Sequence, residues 1–302
     1  MRRHAGARHA GAGGMRGGSI LLATLAALSA ATLLAVGAAA VLRASAARVA
    51  HIAADAQGRR AAFECIGMFA REAVLCDTNG YDAAGESWTL PFPPEDAPES
   101  AVARLAPEFP GTDPAPCVDE ESRLPLNHAP EETLAALVAE VCGKDAIQAA
   151  RIASEIAALR PLPRREYMRL APSLDGESYL RLAPFVTAAP SEAVNINTAS
   201  EPVLRAAFAV AERYGTAASK SLARKLIEYR RGGGALKSLE IAEAGTALGG
   251  LNQAEAAALS AMGEFLAIES RHFSGAATSG PALVVFTIDR ETGKLARTVV
   301  AH

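Results

Sequence analysis

The sequence predicts an α+β protein in which a long N-terminal helix and a small antiparallel sheet are interrupted by a large all-α insertion. Three observations support this prediction. Residues 19–75 form an alanine-rich run without proline, strand-like segments cluster at the C-terminal end, and the region between has helical patterning that repeats itself. With 302 residues, 50% hydrophobic and 21% charged, the chain can bury a core and still cover it with polar groups.

The first element is a candidate membrane span. Residues 19–42 contain no charged side chain, and as a helix they would extend about 36 Å, enough to cross a bilayer. Residues 1–18 carry four arginines and no acid, which favours a cytoplasmic N-terminus with the body of the protein across the membrane. The alternative is a cleaved secretory signal, for which Ala38 to Ala40 offer small residues at the cleavage site.

The residues just before the span carry a second signal. Arg16, Gly17 and Gly18 directly precede Ser19. This layout resembles the leader of type IV pilins and type II secretion pseudopilins, which a prepilin peptidase cuts after such a glycine. The resemblance implies that residues 1–18 are a cytoplasmic leader and that processing occurs between Gly18 and Ser19.

One position departs from the pattern of these families. Most members have Glu as the fifth residue of the mature chain, where its carboxylate can neutralise the terminal amine of a neighbouring subunit, whereas this chain has Ala23. An uncompensated charge inside hydrocarbon is costly. A subunit without the carboxylate therefore suits the top of a filament, where it has no neighbour above it.

The apolar helix is expected to continue beyond the span. Apolar residues recur near helical spacing through Val49, Ile52, Phe63, Ile66 and Phe69, and this stripe predicts packing on a sheet. Gly58 and Gly67 weaken the helix locally, so the sequence does not determine the residue at which it ends. Residues 43–116 then form the first part of a pilin-like domain, with a proline-rich loop between Cys76 and Cys117 in which only Ser87 to Leu90 has strand character.

The C-terminal residues 265–302 are expected to complete that domain. Three segments, Phe265 to Ser270, Leu283 to Asp289 and Leu295 to Val300, are rich in β-branched and aromatic residues. The last two are joined by four residues that end in Gly293, which predicts a hairpin.

Residues 117–264 form the predicted helical insertion, which contains an internal repeat. LNHAPEETLAAL from Leu126 aligns with INTASEPVLRAA from Ile196 at an offset of 70 residues, so that two units are expected at about 122–190 and 191–264. The signature positions are Asn127, Glu131 and Leu134 in the first copy and Asn197, Thr198, Glu201 and Leu204 in the second. Helix capping by the asparagines, with Thr198 and Glu201 as a capping box, is the favoured interpretation, and a direct ligand role is the alternative.

Taken in order along the chain, these features resemble the minor pseudopilin K family of type II secretion, whose insertion consists of two helix-hairpin-helix-like (SAM-like) units. The resemblance implies a non-enzymatic subunit, anchored once in the bacterial inner membrane with its C-terminal domain in the periplasm. It also implies a place at the pseudopilus tip that initiates or caps the filament and aids export across the outer membrane. The implied partners are other minor pseudopilins and prepilin peptidase.

A membrane-anchored DNA-uptake receptor built on helix-hairpin-helix units is the competing hypothesis. Residues 19–302 carry 26 basic and 33 acidic side chains, a formal charge of −7, which disfavours binding to a polyanion. The turns that follow the two signature helices contain one glycine each, Gly143 and Gly215, whereas phosphate binding favours a glycine-rich turn. No nucleic acid is therefore expected as a partner.

The sequence contains no recognisable catalytic motif, and no cofactor is expected. Two acidic sets are most simply interpreted as solvated loops, and the alternative is that they supply oxygen ligands for Ca²⁺, as the resemblance implies. These sets are Asp119, Glu120 and Glu121, and Asp77, Asn79 and Asp82.

The four cysteines are expected to face an oxidising compartment. Cys65 and Cys76 on one helix would lie about 16 Å apart, too far for a bridge. Cys76 with Cys117 is the first choice for a disulfide, because it closes the proline-rich loop, and Cys117 with Cys142 is the second.

Overall fold

The computed structural model describes residues 14–300, apart from 84, 91, 93–103, 107–116, 210–215 and 281. It divides into two compact units, residues 1–56 and residues 57–302. The α-helices of the described residues are α1 (Gly14–Phe69), α2 (Glu131–Cys142), α3 (Ala146–Ala158), α4 (Gly176–Leu182), α5 (Glu201–Ala209), α6 (Thr216–Arg231), α7 (Ile241–Ala247) and α8 (Gln253–Ala261). The strands are β1 (Arg104–Ala106), β2 (Val118–Asp119), β3 (Leu124–Pro125), β4 (Val186–Thr187), β5 (Val194–Asn195), β6 (Leu266–Ala267), β7 (His272–Ser279), β8 (Ala282–Asp289) and β9 (Lys294–Val300).

The last part of the long helix, which we call the stem (residues 57–74), belongs to the second unit. α1 runs without a break through both Gly58 and Gly67, and a π-helical turn at Ala70–Val74 ends the stem. Gly58 allows close packing, because a Cβ at this position would lie 2.4 Å from the Ser279 carbonyl oxygen. This glycine, which the sequence presents as a weak point of the helix, is a contact point between the stem and the sheet.

The stem packs on a five-stranded antiparallel sheet. β7 is central: β1 and β2 pair with one of its edges and β8 with the other, and β9 follows β8. Phe69 of the stem lies 6.1 Å from Phe286 of β8, measured between ring centroids. Along β8, buried side chains alternate with partly exposed ones, as expected for a strand that packs on one face.

The insertion folds as two related units that share one core. In the first, β3 pairs in parallel with β4 around α2, α3 and α4, and in the second β5 pairs in parallel with β6 around α5 to α8. The backbone bonds that close the two units are equivalent, with Leu126 N–H donating to Thr187 O (2.8 Å) and Ile196 N–H donating to Ala267 O (2.9 Å). Leu134 and Leu204, at matching positions of the repeat, are both fully buried in this core.

The predicted α+β class, with its long helix, antiparallel sheet and helical insertion, is confirmed. Two local predictions are wrong. Ser87–Thr89 forms a 3-10 turn that buries Trp88 against the stem, and within residues 265–270 only Leu266–Ala267 is a strand, which closes the second helical unit and does not join the large sheet. One strand, β7, was not predicted, because its residues Gly275, Ala276 and Ala277 have low strand propensity.

Candidate functional site

The N-terminal part of α1 presents an apolar surface. Gly18, Ser19 and Ala23 all lie within this helix, and the large hydrophobic side chains between Ile20 and Leu42 are each more than 60% exposed. The helix is long and apolar enough to cross a membrane, with a mean hydropathy of 2.2 in its most apolar stretch of 18 residues, none of them buried. A surface of this kind needs lipid or another protein to cover it.

Two threonine hydroxyls within this apolar stretch bond to the backbone of their own helix. The Thr24 hydroxyl lies 2.9 Å from the Leu21 carbonyl oxygen, and the Thr32 hydroxyl donates to the Leu28 carbonyl at 2.8 Å. Each hydroxyl therefore bonds to its own helix, which is what a helix surrounded by hydrocarbon requires.

The second feature is a set of three buried acids, Asp119, Glu120 and Glu121, which we call the junction carboxylates. Asp119 is the last residue of β2, and Glu120 and Glu121 follow it, at the point where the chain leaves the sheet and enters the helical insertion. All three are less than 10% exposed. Burying a carboxylate is costly unless hydrogen-bond donors of the protein replace its water. The donors that bind these three acids therefore indicate what the acids do.

Asp119 binds the second helical unit and the segment after β6. Its Oδ2 accepts from Ser270 Oγ (2.6 Å) and Asn195 Nδ2 (3.3 Å), and from the Thr198 hydroxyl. Its Oδ1 accepts from the Glu121 N–H at 2.8 Å. Burial, followed by the negative charge of Glu121, raises the pKa of Asp119 well above its usual range.

Glu120 and Glu121 bind the first helical unit and the central strand of the sheet. Glu120 accepts from Arg123 Nη1 at 3.2 Å and from the hydroxyls of Thr187 in β4 and Ser274 in β7. Glu121 bonds the backbone N–H of His272 (3.0 Å) and its ring Nδ1 (2.8 Å). The junction carboxylates therefore hold both helical units to the sheet.

The sequence favours a solvated loop for these three acids, with calcium ligation as the alternative, whereas the structure buries all three. Their oxygens accept hydrogen bonds from hydroxyl, amide and guanidinium groups of the protein itself, so a cation would have to displace these donors.

The second predicted acidic set also has partners. Both oxygens of the fully buried Asp82 bind Arg290, at 2.7 and 2.8 Å, and Asp82 Oδ2 also accepts from the Ser270 N–H at 2.6 Å. Ligand atoms of Asp77, Asp82 and Glu86 lie within 4.8 Å of one another. Arg290 supplies positive charge at this cluster and occupies both oxygens of Asp82. A calcium ion could bind these carboxylates only by displacing the Arg290 side chain.

The repeat asparagines do not cap helices. Asn127 Nδ2 donates to Leu162 O (3.0 Å) and its Oδ1 accepts from Leu162 N–H (2.7 Å). Asn197 makes the same pair of bonds with Leu236, at 2.9 and 2.8 Å. Each asparagine therefore fastens the start of its unit to the loop that follows the unit's second helix, and we call these pairs the asparagine clamps.

An arginine supports each clamp at matching positions of the repeat. Arg160 Nη2 donates to the Ala129 carbonyl at 2.6 Å, and Arg230 donates to the Ala199 carbonyl. Burial lowers the pKa of both guanidinium groups. The favoured capping interpretation of the asparagines is wrong, and their bonds join parts of the same unit that are distant in sequence.

The predicted capping box also has a different role. Thr198 donates its hydroxyl to Asp119, and Glu201, at the first turn of α5, binds Arg205 at 2.8 Å and also binds Arg231. Glu131, the equivalent of Glu201, is exposed at the start of α2. Thr198 therefore connects the second helical unit to the junction carboxylate Asp119, a role that a helix-capping motif does not predict.

The predicted disulfide is not formed. In the structure no disulfide joins the cysteines, and all of them lie in the described residues. Cys117 is buried in the stem core with its thiol near the Val118 carbonyl, whereas Cys76 is exposed. Burial raises the pKa of the Cys117 thiol well above its usual range, so this thiol is unreactive in the folded protein.

The described hairpin turn does not offer a phosphate site. Gly143 ends α2 with a φ of +65°, as a C-terminal glycine cap does. At the start of α3 the Asp145 carboxylate accepts from the Gln148 N–H at 2.8 Å and places a negative charge where a phosphate would bind. The corresponding turn after α5, with Gly215, lies outside the described residues.

Three residues of the junction were not singled out from the sequence. Ser270, His272 and Arg290 bind acids that are 151 to 208 residues away in the chain. No local spacing could have found these partners, since only the fold brings them together.

Comparison with known proteins supports the fold. No protein-family model and no curated protein matches the chain. Among solved structures, a chain of the crystal structure of the GspK-GspI-GspJ complex from the enterotoxigenic Escherichia coli type 2 secretion system is similar, with a TM-score of 0.55 and 15% sequence identity. The match covers 85% of this chain and 99% of that chain. The similarity therefore extends over both the sheet and the insertion.

Proposed function

We propose that this chain is a minor pseudopilin of a type II secretion system, which sits at the tip of the pseudopilus and initiates or caps the filament. The observation that carries the proposal is the order of elements: an apolar helix whose outer part packs on a small sheet, with a helical insertion that the junction carboxylates bond to that sheet. The similarity to a chain of the GspK-GspI-GspJ complex supports the same arrangement.

The proposed position at the tip has two physical supports. Position 23 is alanine, where most pseudopilins have a glutamate. This subunit therefore lacks the carboxylate that would neutralise the terminal amine of a subunit above it. The insertion adds two helical units beside a sheet of only five strands. Repeating such a large insertion along a thin filament would be sterically unfavourable, whereas a single copy at the end meets no such obstacle.

In this proposal the chain is a structural part of the secretion machine and not an enzyme. Residues 19–42 form the single inner-membrane span, with the N-terminus in the cytoplasm and the C-terminal domain in the periplasm. Other minor pseudopilins are the filament partners, and prepilin peptidase removes residues 1–18. We place the insertion between β2, which pairs with β7 in the large sheet, and the end of β6, which pairs with β5, in place of the bounds 117–264 expected from the sequence.

The decisive experiment is intact-mass measurement after co-expression with a prepilin peptidase. Loss of the first 18 residues is expected, with the protein remaining in the membrane fraction. A Gly18→Leu variant should stay uncut, and the matched control Gly14→Leu should be processed normally. Loss of about 40 residues and release of a soluble protein would instead indicate a signal peptide and refute the proposal.

The tip position has its own test. Co-purification of the processed full chain with candidate minor pseudopilins should give a complex that contains one copy of this chain. Several copies in series along one filament would contradict a tip role. A salt-dependent shift of duplex DNA would favour the uptake-receptor alternative, against which the acid at the start of α3 argues.

A further inference from the structure

The outer edge of the large sheet lies next to a groove that the proposed function leaves unexplained. Among the described strands β9 pairs only with β8, so its other edge is open. A shallow, open groove of about 650 Å³ lies on the stem beside Arg297 of β9. Its lining residues are Arg60, Phe63, Glu64, Gly67, Met68, Arg71 and Arg297.

The open edge can form hydrogen bonds. Every second residue of an edge strand directs its backbone N–H and C=O away from the sheet, and β9 has seven residues. The strand contains no proline and pairs with β8 in continuous register from Asp289↔Lys294 to Leu283↔Val300. It is therefore regular enough to accept another strand along its whole length.

The floor of the groove combines apolar and aromatic contacts. The Arg297 guanidinium lies over the Phe63 ring, 5.3 Å from its centroid. The same guanidinium extends to Gly67, where a Cβ would lie 3.3 Å from Nη2. Met68 is 52% exposed beside them, a large apolar side chain without full cover. The Arg297 guanidinium therefore lies at the mouth of the groove, next to Phe63 and Gly67.

The charge of the groove is positive. Its one acid, Glu64, is engaged by Arg60 at 3.0 Å. Arg71 and Arg297 have no acidic partner among the described residues. A segment that enters the groove therefore meets two uncompensated guanidinium groups, which bind carboxylates well.

We propose that this groove is a docking site for an extended, acidic segment of a different protein, which adds a strand to β9 and places its carboxylates on Arg71 and Arg297. The proposal goes beyond the proposed function and stands independently of it.

Two other occupants fit less well. A second copy of this chain would bring its own β9, whose charged residues, Lys294 and Arg297, are both basic, so like charges would face each other across the new pair. A helix could cover Met68 and Phe63. The backbone N–H and C=O groups of a helix bond to each other, however, so a docked helix would leave the edge of β9 unpaired.

The test uses the full chain in nanodiscs of zwitterionic lipid and three synthetic peptides. The first alternates Glu with Val and Thr over seven residues, the second has Lys in place of each Glu, and the third is the acidic peptide with N-methyl groups on every second residue. Hydrogen exchange of residues 294–300 and fluorescence anisotropy report the binding. The acidic peptide is expected to bind and to slow exchange along β9, while the other two bind at least about tenfold more weakly.

Charge reversal makes the test specific. Arg297→Glu and Arg71→Glu should each weaken the acidic peptide by about tenfold, and Arg297→Glu should strengthen binding of the lysine peptide. Arg151→Glu, an equal charge change at an exposed position of α3, is the matched control and should leave both affinities unchanged. Circular dichroism checks that each variant is folded, and Arg71, on the exposed face of the stem, provides a second variant if Arg297→Glu does not fold.

Several outcomes would overturn the proposal. These are no binding of the acidic peptide, binding without slower exchange in β9, equal binding of the N-methylated or lysine peptide, and insensitivity to both charge reversals. Concentration-dependent self-association that protects β9 would assign the groove to a second copy instead.

Discussion

Gly58 and Gly67 lie on the same stem helix, yet alanine should have opposite effects at the two positions. In an ordinary helix, replacing Gly by Ala stabilises the fold by about 1 kcal/mol. At Gly58 the new Cβ would lie 2.4 Å from the Ser279 backbone carbonyl and 3.3 Å from the Ala282 Cβ. At Gly67 the nearest atom is the end of the flexible Arg297 side chain, at 3.3 Å.

The magnitude follows from what has to move. Relief of the contact at Gly58 requires the stem and the β7–β8 turn to separate by more than half an ångström, since real Cβ atoms do not approach other atoms within 3.0 Å. Overpacking of this kind costs about 1–3 kcal/mol, which exceeds the gain in helix propensity. Gly58→Ala should therefore destabilise the protein by about 1–2 kcal/mol, whereas Gly67→Ala should stabilise it by up to about 1 kcal/mol.

Urea unfolding of the full chain in detergent measures both variants, with hydrogen exchange of residues 272–289 as a local readout of the sheet. The two midpoints should move in opposite directions from the midpoint of the parent protein. Stabilisation by Gly58→Ala equal to that by Gly67→Ala would show that the stem does not approach the turn this closely, and would refute the packing argument.

Three further predictions concern the clamps, a helix cap and the thiols. Asn197→Ala should cost about 2–4 kcal/mol in urea unfolding because it leaves a buried N–H and C=O unpaired, and Asn127→Ala should cost less because its clamp is only partly buried; equal losses would contradict this difference. Asp175 should titrate near pH 2 by carboxyl NMR, mainly because it accepts a backbone N–H bond at the start of α4, so its contribution to stability is present above its usual pKa of 3.8 and is lost as the pH falls through about 2. In the native protein Cys76 should react with maleimide and Cys117 only after unfolding; a mass 2 Da lower, with neither thiol reactive, would instead support the disulfide.

Much of the architecture is visible in the sequence because it depends on local patterns. The apolar run without proline predicts the long helix, and the β-branched and aromatic residues of β8 and β9 predict the hairpin that Gly293 closes. The offset of 70 residues correctly relates Asn127 to Asn197, since both form the same clamp.

The candidate site was less accessible to sequence reasoning. Asn127 and Asn197 bond to loops 35 and 39 residues away, so their resemblance to helix caps was misleading. The junction acids were expected to form a solvated loop, because a run of three acids is usually exposed, yet their partners lie in β7, β4 and the segment after β6. β7 itself was missed because its small residues are favoured by close packing against the stem and not by strand propensity.

The sequence by itself determined the features that act within a few turns of helix or one strand: the apolar helix, the helical repeat and the final hairpin. The tertiary structure decided which polar groups pair and which glycine must remain small. The physical reason is that propensity and hydrophobic periodicity depend on near neighbours in the chain, whereas a buried carboxylate such as Asp119 is stabilised by whichever donors the fold brings to it, here Ser270 from 151 residues away.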